Sequence, residues 1–211
     1  MGLTYQDQFY SDKVHLIVGT DEAGRGPLAG PVVAAAVILP KDYKNDEIND
    51  SKQLSEKKRE KLFDEIKKNA VAVGVGIVSA DEIDEINIYE AARKAMMLAI
   101  TDMKHDFDVI LTDCMKLPGY DVPVIDLVKG DAKALPIAAA SIIAKVTRDK
   151  MMDELDKRFP SYKFSKNKGY GTKEHLDALK KFGAIEHIHR KTFKPVSKII
   201  HGDMNLFEDF E

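Results

Sequence analysis

The chain has 211 residues, 44% apolar and 32% charged, with a net charge of −3. That length and balance give one domain with a packed core under a solvated surface, and exclude a largely disordered chain. The longest apolar run, Val32 to Leu39, is too short to span a bilayer, and no basic–apolar–small signal pattern opens the sequence.

The one cysteine, Cys114, rules out an internal disulfide and fits a reducing compartment. It is expected to pack as a small apolar residue. Together these features predict a soluble cytoplasmic protein without a membrane partner.

Residues 14–20, V-H-L-I-V-G-T, predict a strand ending at the Asp21–Glu22 pair. Residues 31–39 are apolar throughout and predict a strand buried on both faces, closed by Pro40. Residues 55–69 predict a charged helix whose inner stripe is Leu62, Phe63 and Ile66, and residues 71–78 a third strand. Ser79 and Glu82 form a capping box that opens a long helix to about Met103. Its acids Asp81, Glu82 and Asp84 read as first-turn residues favoured by the helix dipole. Residues 108–112 and 123–128 predict the fourth and fifth strands. A helix starting near Pro136 runs toward Phe159, and another covers Thr172–Phe182, stopped by Gly183. The order implies an α/β fold: a mixed five-stranded sheet flanked by helices, with a C-terminal helical segment.

Charge is unevenly spread. Residues 157–200 hold twelve Lys or Arg against three acids, a local net of +9, while residues 1–50 hold four basic side chains against eight acidic ones. A cation site and a polyanion site in one fold would produce this asymmetry; soluble lysine-rich helix faces would too. Four acids, Asp21, Glu22, Asp113 and Asp131, lie at or just past predicted strand ends. If the strands ending at 20 and 112 are parallel neighbours, Asp21 and Asp113 emerge at the same sheet edge, where ligand sites of open α/β sheets form. Clustered carboxylates repel unless a cation compensates. Oxygen-only donors suit Mg2+ or Mn2+, and two such ions about 4 Å apart form the clamp that cleaves phosphodiesters. Because strand neighbours face opposite ways, Asp21 and Glu22 could share one ion only across a bend, which the glycines after them would permit.

The stretch D-E-A-G-R-G-P-L-A-G-P at 21–31 sets those acids beside a glycine loop containing Arg25. A dinucleotide fingerprint fits it badly: glycines 24, 26 and 30 miss the spacing by one, and Pro27 leads to a strand rather than a helix. No Ser-His-Asp or Cys-His arrangement argues for acyl transfer.

This stretch, with D-S-K-Q-L-S at 50–55, K-G-D at 129–131, A-A-A-S-I-I-A-K-V-T-R-D at 138–149, K-G-Y-G-T-K-E-H at 168–175 and H-R-K-T-F at 189–193, resembles bacterial ribonuclease HII, the type 2 ribonuclease H. The resemblance covers roughly residues 14–195. It implies a ribonuclease H-like fold in one catalytic domain, residues 1–195, followed by a tail, 196–211. It implies cleavage of the RNA strand of RNA–DNA hybrids, and incision at single ribonucleotides in duplex DNA to leave a 3′-hydroxyl and a 5′-phosphate. By similarity, Asp21, Glu22, Asp113 and Asp131 are the metal-binding catalytic acids. Gly24, Arg25 and Gly26 match the loop that contacts the 2′-hydroxyl and the junction phosphate, and Tyr170 matches the tyrosine that stacks on the following deoxyribose.

Lys52, Lys145, Arg148, Lys166 and Lys168 are candidate phosphate contacts, each also open to reading as a solvated or ion-paired residue. His175 and His189 are open between structural hydrogen bonding and substrate contact. Residues 203–207, D-M-N-L-F, loosely resemble peptides that bind bacterial sliding clamps; alternatively Leu206 and Phe207 pack on the chain's own surface. A monomer suffices for these roles. The alternatives of another class are a resolvase- or transposase-type DNA nuclease on the same fold and a non-catalytic hybrid-binding module.

Overall fold

Runs of β-branched and apolar residues form the strands. They are β1 (Ile17–Ala23), β2 (Val32–Ile38), β3 (Ala72–Val78), β4 (Val109–Asp113) and β5 (Val124–Leu127). The helices are α1 (Glu56–Asn69), α2 (Ala80–Ile86), α3 (Ile88–Asp102), α4 (Leu135–Arg158), α5 (Phe164–Asn167), α6 (Lys173–Phe182) and α7 (Lys194–His201). The computed structural model describes residues 3–49, 51 and 54–202. The five strands form one mixed sheet in the order β3-β2-β1-β4-β5, with β1 antiparallel to β2 and parallel to β4, and β4 parallel to β5.

The chain divides into two compact units. The first takes the residues up to Ala23, Val33–Ile77 and Ala92–Thr147; the second takes Gly24–Val32, Val78–Ala91 and the chain from Arg148 onward. In the first, every residue of β2 is buried, as its unbroken apolar sequence requires. Ala35 and Val37 share a core with Leu62 and Ile66 of α1 and with Ala138, Ala139, Ile142 and Ile143 of α4. Residues 135–144 of α4 are all buried and, except for Ser141, apolar, which suits a helix stretch packed around its whole circumference. In the second unit, Leu28, Met152, Tyr162, Phe164, Leu179 and Val196 form a separate core. The expected boundary at residue 195 falls inside α7, whose Val196 is fully buried.

Two expectations are corrected. The long helix from Ser79 breaks at Asn87, which adopts φ 68° and ends α2. Its Oδ1 then accepts the Tyr89 and Glu90 N–H groups, so the same residue stops one helix and caps the next. Cys114 is exposed rather than packed; the chain leaves β4 through it in a left-handed conformation, φ 52°.

Gly19 in β1 sets how closely α4 approaches. A Cβ there would lie 2.1 Å from the Pro136 carbonyl carbon and 2.3 Å from the Ile137 nitrogen, so the first turn of α4 rests directly on the strand. Backbone cannot retreat as a flexible side chain can. Gly19→Ala is therefore expected to lower unfolding free energy by about 3 kcal/mol. Urea denaturation measures this, and an unshifted midpoint would refute the contact.

Candidate active site

Parallel pairing aligns Thr20 of β1 with Thr112 of β4, so the next residues, Asp21 and Asp113, stand side by side where the β1–β4 pairing ends. The threonines are fully buried and anchored: their hydroxyls donate to the Ala35 and Met115 carbonyls at 2.8 and 2.5 Å. Beyond β5, Lys129 turns the chain with φ 57° into a short 3-10 segment, Gly130–Ala132, that carries Asp131. The Gly130 N–H donates to Asp113 Oδ1 at 2.7 Å, tying this turn to the end of β4.

Asp21, Asp113 and Asp131 thus converge. Each offers a carboxylate oxygen within 4.8 Å of the others; Asp21 and Asp131 are buried and Asp113 half-buried. The Asp21 carboxyl is pushed well up, first by burial, then by the Glu22 and Asp113 charges, with Asp131 adding; the hydrogen bond from the Glu22 N–H at 2.7 Å opposes this. A buried group of acids that disfavour one another's ionisation is the environment a hard divalent cation stabilises.

β1 runs on without interruption past Asp21 and Glu22. β1 continues in register with β2 through Ala23, pairing Asp21 with Ala35 and Glu22 with Ala34. Regular alternation turns Glu22 away from the face of Asp21. Glu22 is half-buried and outside the three-aspartate group, though its charge acts on Asp21.

The glycine loop belongs to the second unit. Arg25 and Gly26 are exposed, Gly24 is buried with φ 100°, and Gly26 sits beside the Tyr170 ring, where a Cβ would come 3.4 Å from Cε1. Tyr170 is 47% exposed. Arg148 lies beneath this loop. Its guanidinium is 1% exposed and donates to the carbonyls of Pro31, Lys168 and Ala29 at 3.0, 2.9 and 3.1 Å. Lys168 pairs with Asp153, and the exposed Lys166 with Glu174 at 2.7 Å. Lys145 is half-buried on α4. Lys52 and the clamp-like segment 203–207 lie outside the described residues.

Sequence reasoning missed three supports of this loop region. Arg190, fully buried, donates to the carbonyls of Gly24, Arg25 and Gly30; its place in H-R-K-T-F was its one visible signal. Asp84, expected to serve a helix dipole, instead accepts the Lys191 and Thr192 N–H groups and the Thr192 hydroxyl. Asp81 pairs with His187 at 2.7 Å.

The same region is also supported by a histidine relay, one of the two readings the sequence left open for His175 and His189. The Ile185 N–H donates to His189 Nδ1 at 2.8 Å, so a neutral His189 carries its proton on Nε2. That proton points at His175 Nε2, 3.0 Å away, which leaves the His175 proton on Nδ1, donating to the Tyr170 carbonyl at 2.9 Å. One arrangement with both rings neutral satisfies all three bonds, and a further proton on either ring sets two donors against each other. Both histidines are fully buried, and stand beside the rings of Tyr162 and Phe164. Burial and then the His175 neighbour push His189 down to about 4, and burial lowers His175.

The relay is therefore structural, and the sign of its pH dependence follows. The unfolded chain takes up protons below about pH 6.5, where the fold refuses them. Stability is full above that value and falls as pH drops toward about 4, where His189 itself protonates. Urea titrations between pH 7.5 and 5 should show a loss of up to about 1.4 kcal/mol per pH unit for each histidine. His189→Gln should flatten that slope; an equal slope in the variant would count against the relay.

Comparison with known proteins places this geometry. The profile of the family described as ribonuclease HII matches residues 18–196. A ribonuclease HII of Lactobacillus acidophilus is 56% identical over 193 residues, 92% of this chain and 76% of that protein. Among solved structures, the ribonuclease H2 of Pyrococcus horikoshii OT3 superposes with a TM-score of 0.75 at 28% identity, covering 89% of this chain and 98% of that one. An RNase HII from Archaeoglobus fulgidus, solved in complex with PCNA, gives 0.70 at 27% identity, covering 87% and 96%. With a family profile spanning most of its length, and three aspartates converging where the β1–β4 pairing ends, this chain belongs to the ribonuclease HII family of nucleases.

Proposed function

We propose that the chain hydrolyses the RNA strand of RNA–DNA hybrids and incises duplex DNA on the 5′ side of single ribonucleotides, leaving a 3′-hydroxyl and a 5′-phosphate. The observation that carries this reading is the group Asp21, Asp113 and Asp131, three carboxylates within 4.8 Å at one sheet edge. A module that only binds hybrids gains nothing from concentrating negative charge beside phosphates.

Asp21, Asp113 and Asp131 would hold the cation, Mg2+ or Mn2+, with Glu22 as the further acid next to Asp21. When bound there, one or two such ions supply Lewis acidity at the scissile phosphate and ease ionisation of the attacking water. The remaining work falls to the chain. The Gly130 N–H fixes the rotamer of Asp113, and the Glu22 N–H that of Asp21. Gly24, Arg25 and Gly26 would meet the ribose 2′-hydroxyl, the group that distinguishes RNA from DNA at a site. Tyr170, exposed beside Gly26, would lie against the next sugar and exclude a second 2′-hydroxyl. Arg148 acts as a buried prop of the loop in this reading, not as a phosphate contact, because its donors are engaged by carbonyls. Phosphates fall to Lys52, Lys145, Lys166 and Lys168. The setting proposed is the cytoplasm.

The test uses a labelled duplex with one ribonucleotide and an all-DNA control, with Mg2+, Mn2+ or chelator. The expected result is one cut 5′ of the ribonucleotide, absent from the control and from chelator. Asp21→Asn is expected to slow it roughly 10³-fold, the loss of about 4 kcal/mol of transition-state stabilisation. Binding without cleavage in either metal would leave the hybrid-binding module as the better account.

A clamp partner is proposed for residues 203–211, supported by the D-M-N-L-F segment and by the PCNA complex of the Archaeoglobus relative. Deleting them should leave cleavage of free duplex unchanged and abolish retention on an immobilised bacterial clamp. Unchanged retention would return Leu206 and Phe207 to a packing role.

A further inference from the structure

The guanidinium of Arg190 makes four hydrogen bonds to three carbonyls of one loop. Nε and Nη2 reach the Gly30 oxygen at 3.1 and 2.9 Å, Nη2 reaches Gly24 at 2.6 Å, and Nη1 reaches Arg25 at 2.9 Å. In a planar trans peptide the carbonyl and the following N–H point in opposite directions. Fixing the Gly24 and Arg25 carbonyls on the guanidinium therefore turns the N–H groups of Arg25 and Gly26 away from it. Those two residues are the exposed part of the loop, and Gly26 lies beside the Tyr170 ring.

The neighbouring arginine shows that this arrangement is particular to Arg190. Arg148 takes the carbonyls of Ala29 and Pro31. The N–H opposite the Ala29 carbonyl is that of Gly30, which donates inward to the Ile188 carbonyl at 2.8 Å. The peptides on Arg148 thus face the interior at that point, while two of the three on Arg190, those after Gly24 and Arg25, belong to the exposed tip.

We infer that Arg190 is a positioning residue for ribonucleotide recognition: its buried guanidinium aims the Arg25 and Gly26 amides at the ribose 2′-hydroxyl. The inference rests on the reading of this loop proposed above. A cation on the carbonyl side also polarises each peptide and strengthens its N–H as a donor. Lysine cannot reproduce this, because one ammonium does not present a planar fork to three carbonyls. Arg190 is fully buried, so its effect has to pass through the backbone it holds.

The experiment compares binding, in chelator, to a one-ribonucleotide duplex and to the same duplex made wholly of DNA, by fluorescence anisotropy. The quantity read is the ratio of the two affinities. A purely structural loss lowers the active fraction and leaves that ratio alone. Arg190→Lys is expected to reduce the ratio about tenfold while all-DNA affinity stays within about twofold, because phosphate contacts lie elsewhere. Gly26→Pro deletes one of the aimed amides while keeping Arg190, and should lower the ratio similarly; it carries the test if Arg190→Lys fails to fold. A wild-type ratio in folded Arg190→Lys, or in Gly26→Pro, overturns the inference. If the wild-type protein itself shows no preference for the ribonucleotide, the loop reading has failed and the inference falls with it.

Discussion

The parallel pairing of β1 with β4 is the interaction on which the rest of the candidate site depends. Register at Thr20 and Thr112 puts two carboxylates side by side where that pairing ends, and a one-residue slip would send one of them to the opposite face. The protein fixes that register from both sides. Thr20 ties β1 to β2 through the Ala35 carbonyl, and Thr112 ties β4 to the turn that follows it. Gly19, immediately before, lets α4 rest on the strand with no side chain between them. Burial then makes the cluster electrostatically unfavourable without a cation. The fold therefore spends stability to hold carboxylates where a metal ion would restore it, a trade common at functional sites.

The second unit meets the converse problem, buried positive charge, with a different device. Arg148 and Arg190 are both almost wholly removed from water, and burial lowers them to about 10 and about 9, so both stay charged at neutral pH. Their hydrogen bonds go to backbone carbonyls of residues 24–31 and Lys168. Carbonyl dipoles stabilise a guanidinium while keeping a net positive charge beneath the loop, which a carboxylate partner would cancel. Under the proposed reading of this loop, such a charge would favour an approaching phosphodiester. The histidine relay gives the other side of the same region its rigidity, ending on the carbonyl of Tyr170 with both rings uncharged.

What was legible in the sequence follows from what is local. All five strands were readable from their β-branched and apolar runs, which in β1, β2 and β4 also report burial directly, and the three converging aspartates because each follows a run or closes a motif. The continuation of β1 through Glu22 was not readable: two acids look like a strand terminator until pairing with Ala34 and Ala35 is known. Asn87 was hidden inside a helical pattern whose hydrophobic period continues across it. Asp84 and Arg190 were invisible for a sharper reason. An aspartate that serves backbone 107 residues away, and an arginine that serves backbone 165 residues away, leave no periodicity at either end. Charged residues also default to a solvated reading, and Arg190 breaks that default completely.

The two kinds of site residue therefore stand on different mechanical footings. The acids sit on paired strands and on a turn bonded to one of them, where sheet pairing limits movement and the ion-to-oxygen distances a metal demands can be kept. The amides proposed to read the substrate sit at the tip of the glycine loop, residues 24–26, outside the pairing that holds residues 28–30 to Gly169 and to residues 188–190, and glycines have the largest conformational freedom to lose. A loop of that kind recognises a single hydroxyl only if it is held before the substrate arrives; otherwise ordering it would consume the binding energy the hydroxyl supplies. Four hydrogen bonds from one buried guanidinium, with a second guanidinium beside it, replace the missing strand. On this argument discrimination between ribose and deoxyribose is set by the interior of the second unit as much as by the residues that face the nucleic acid.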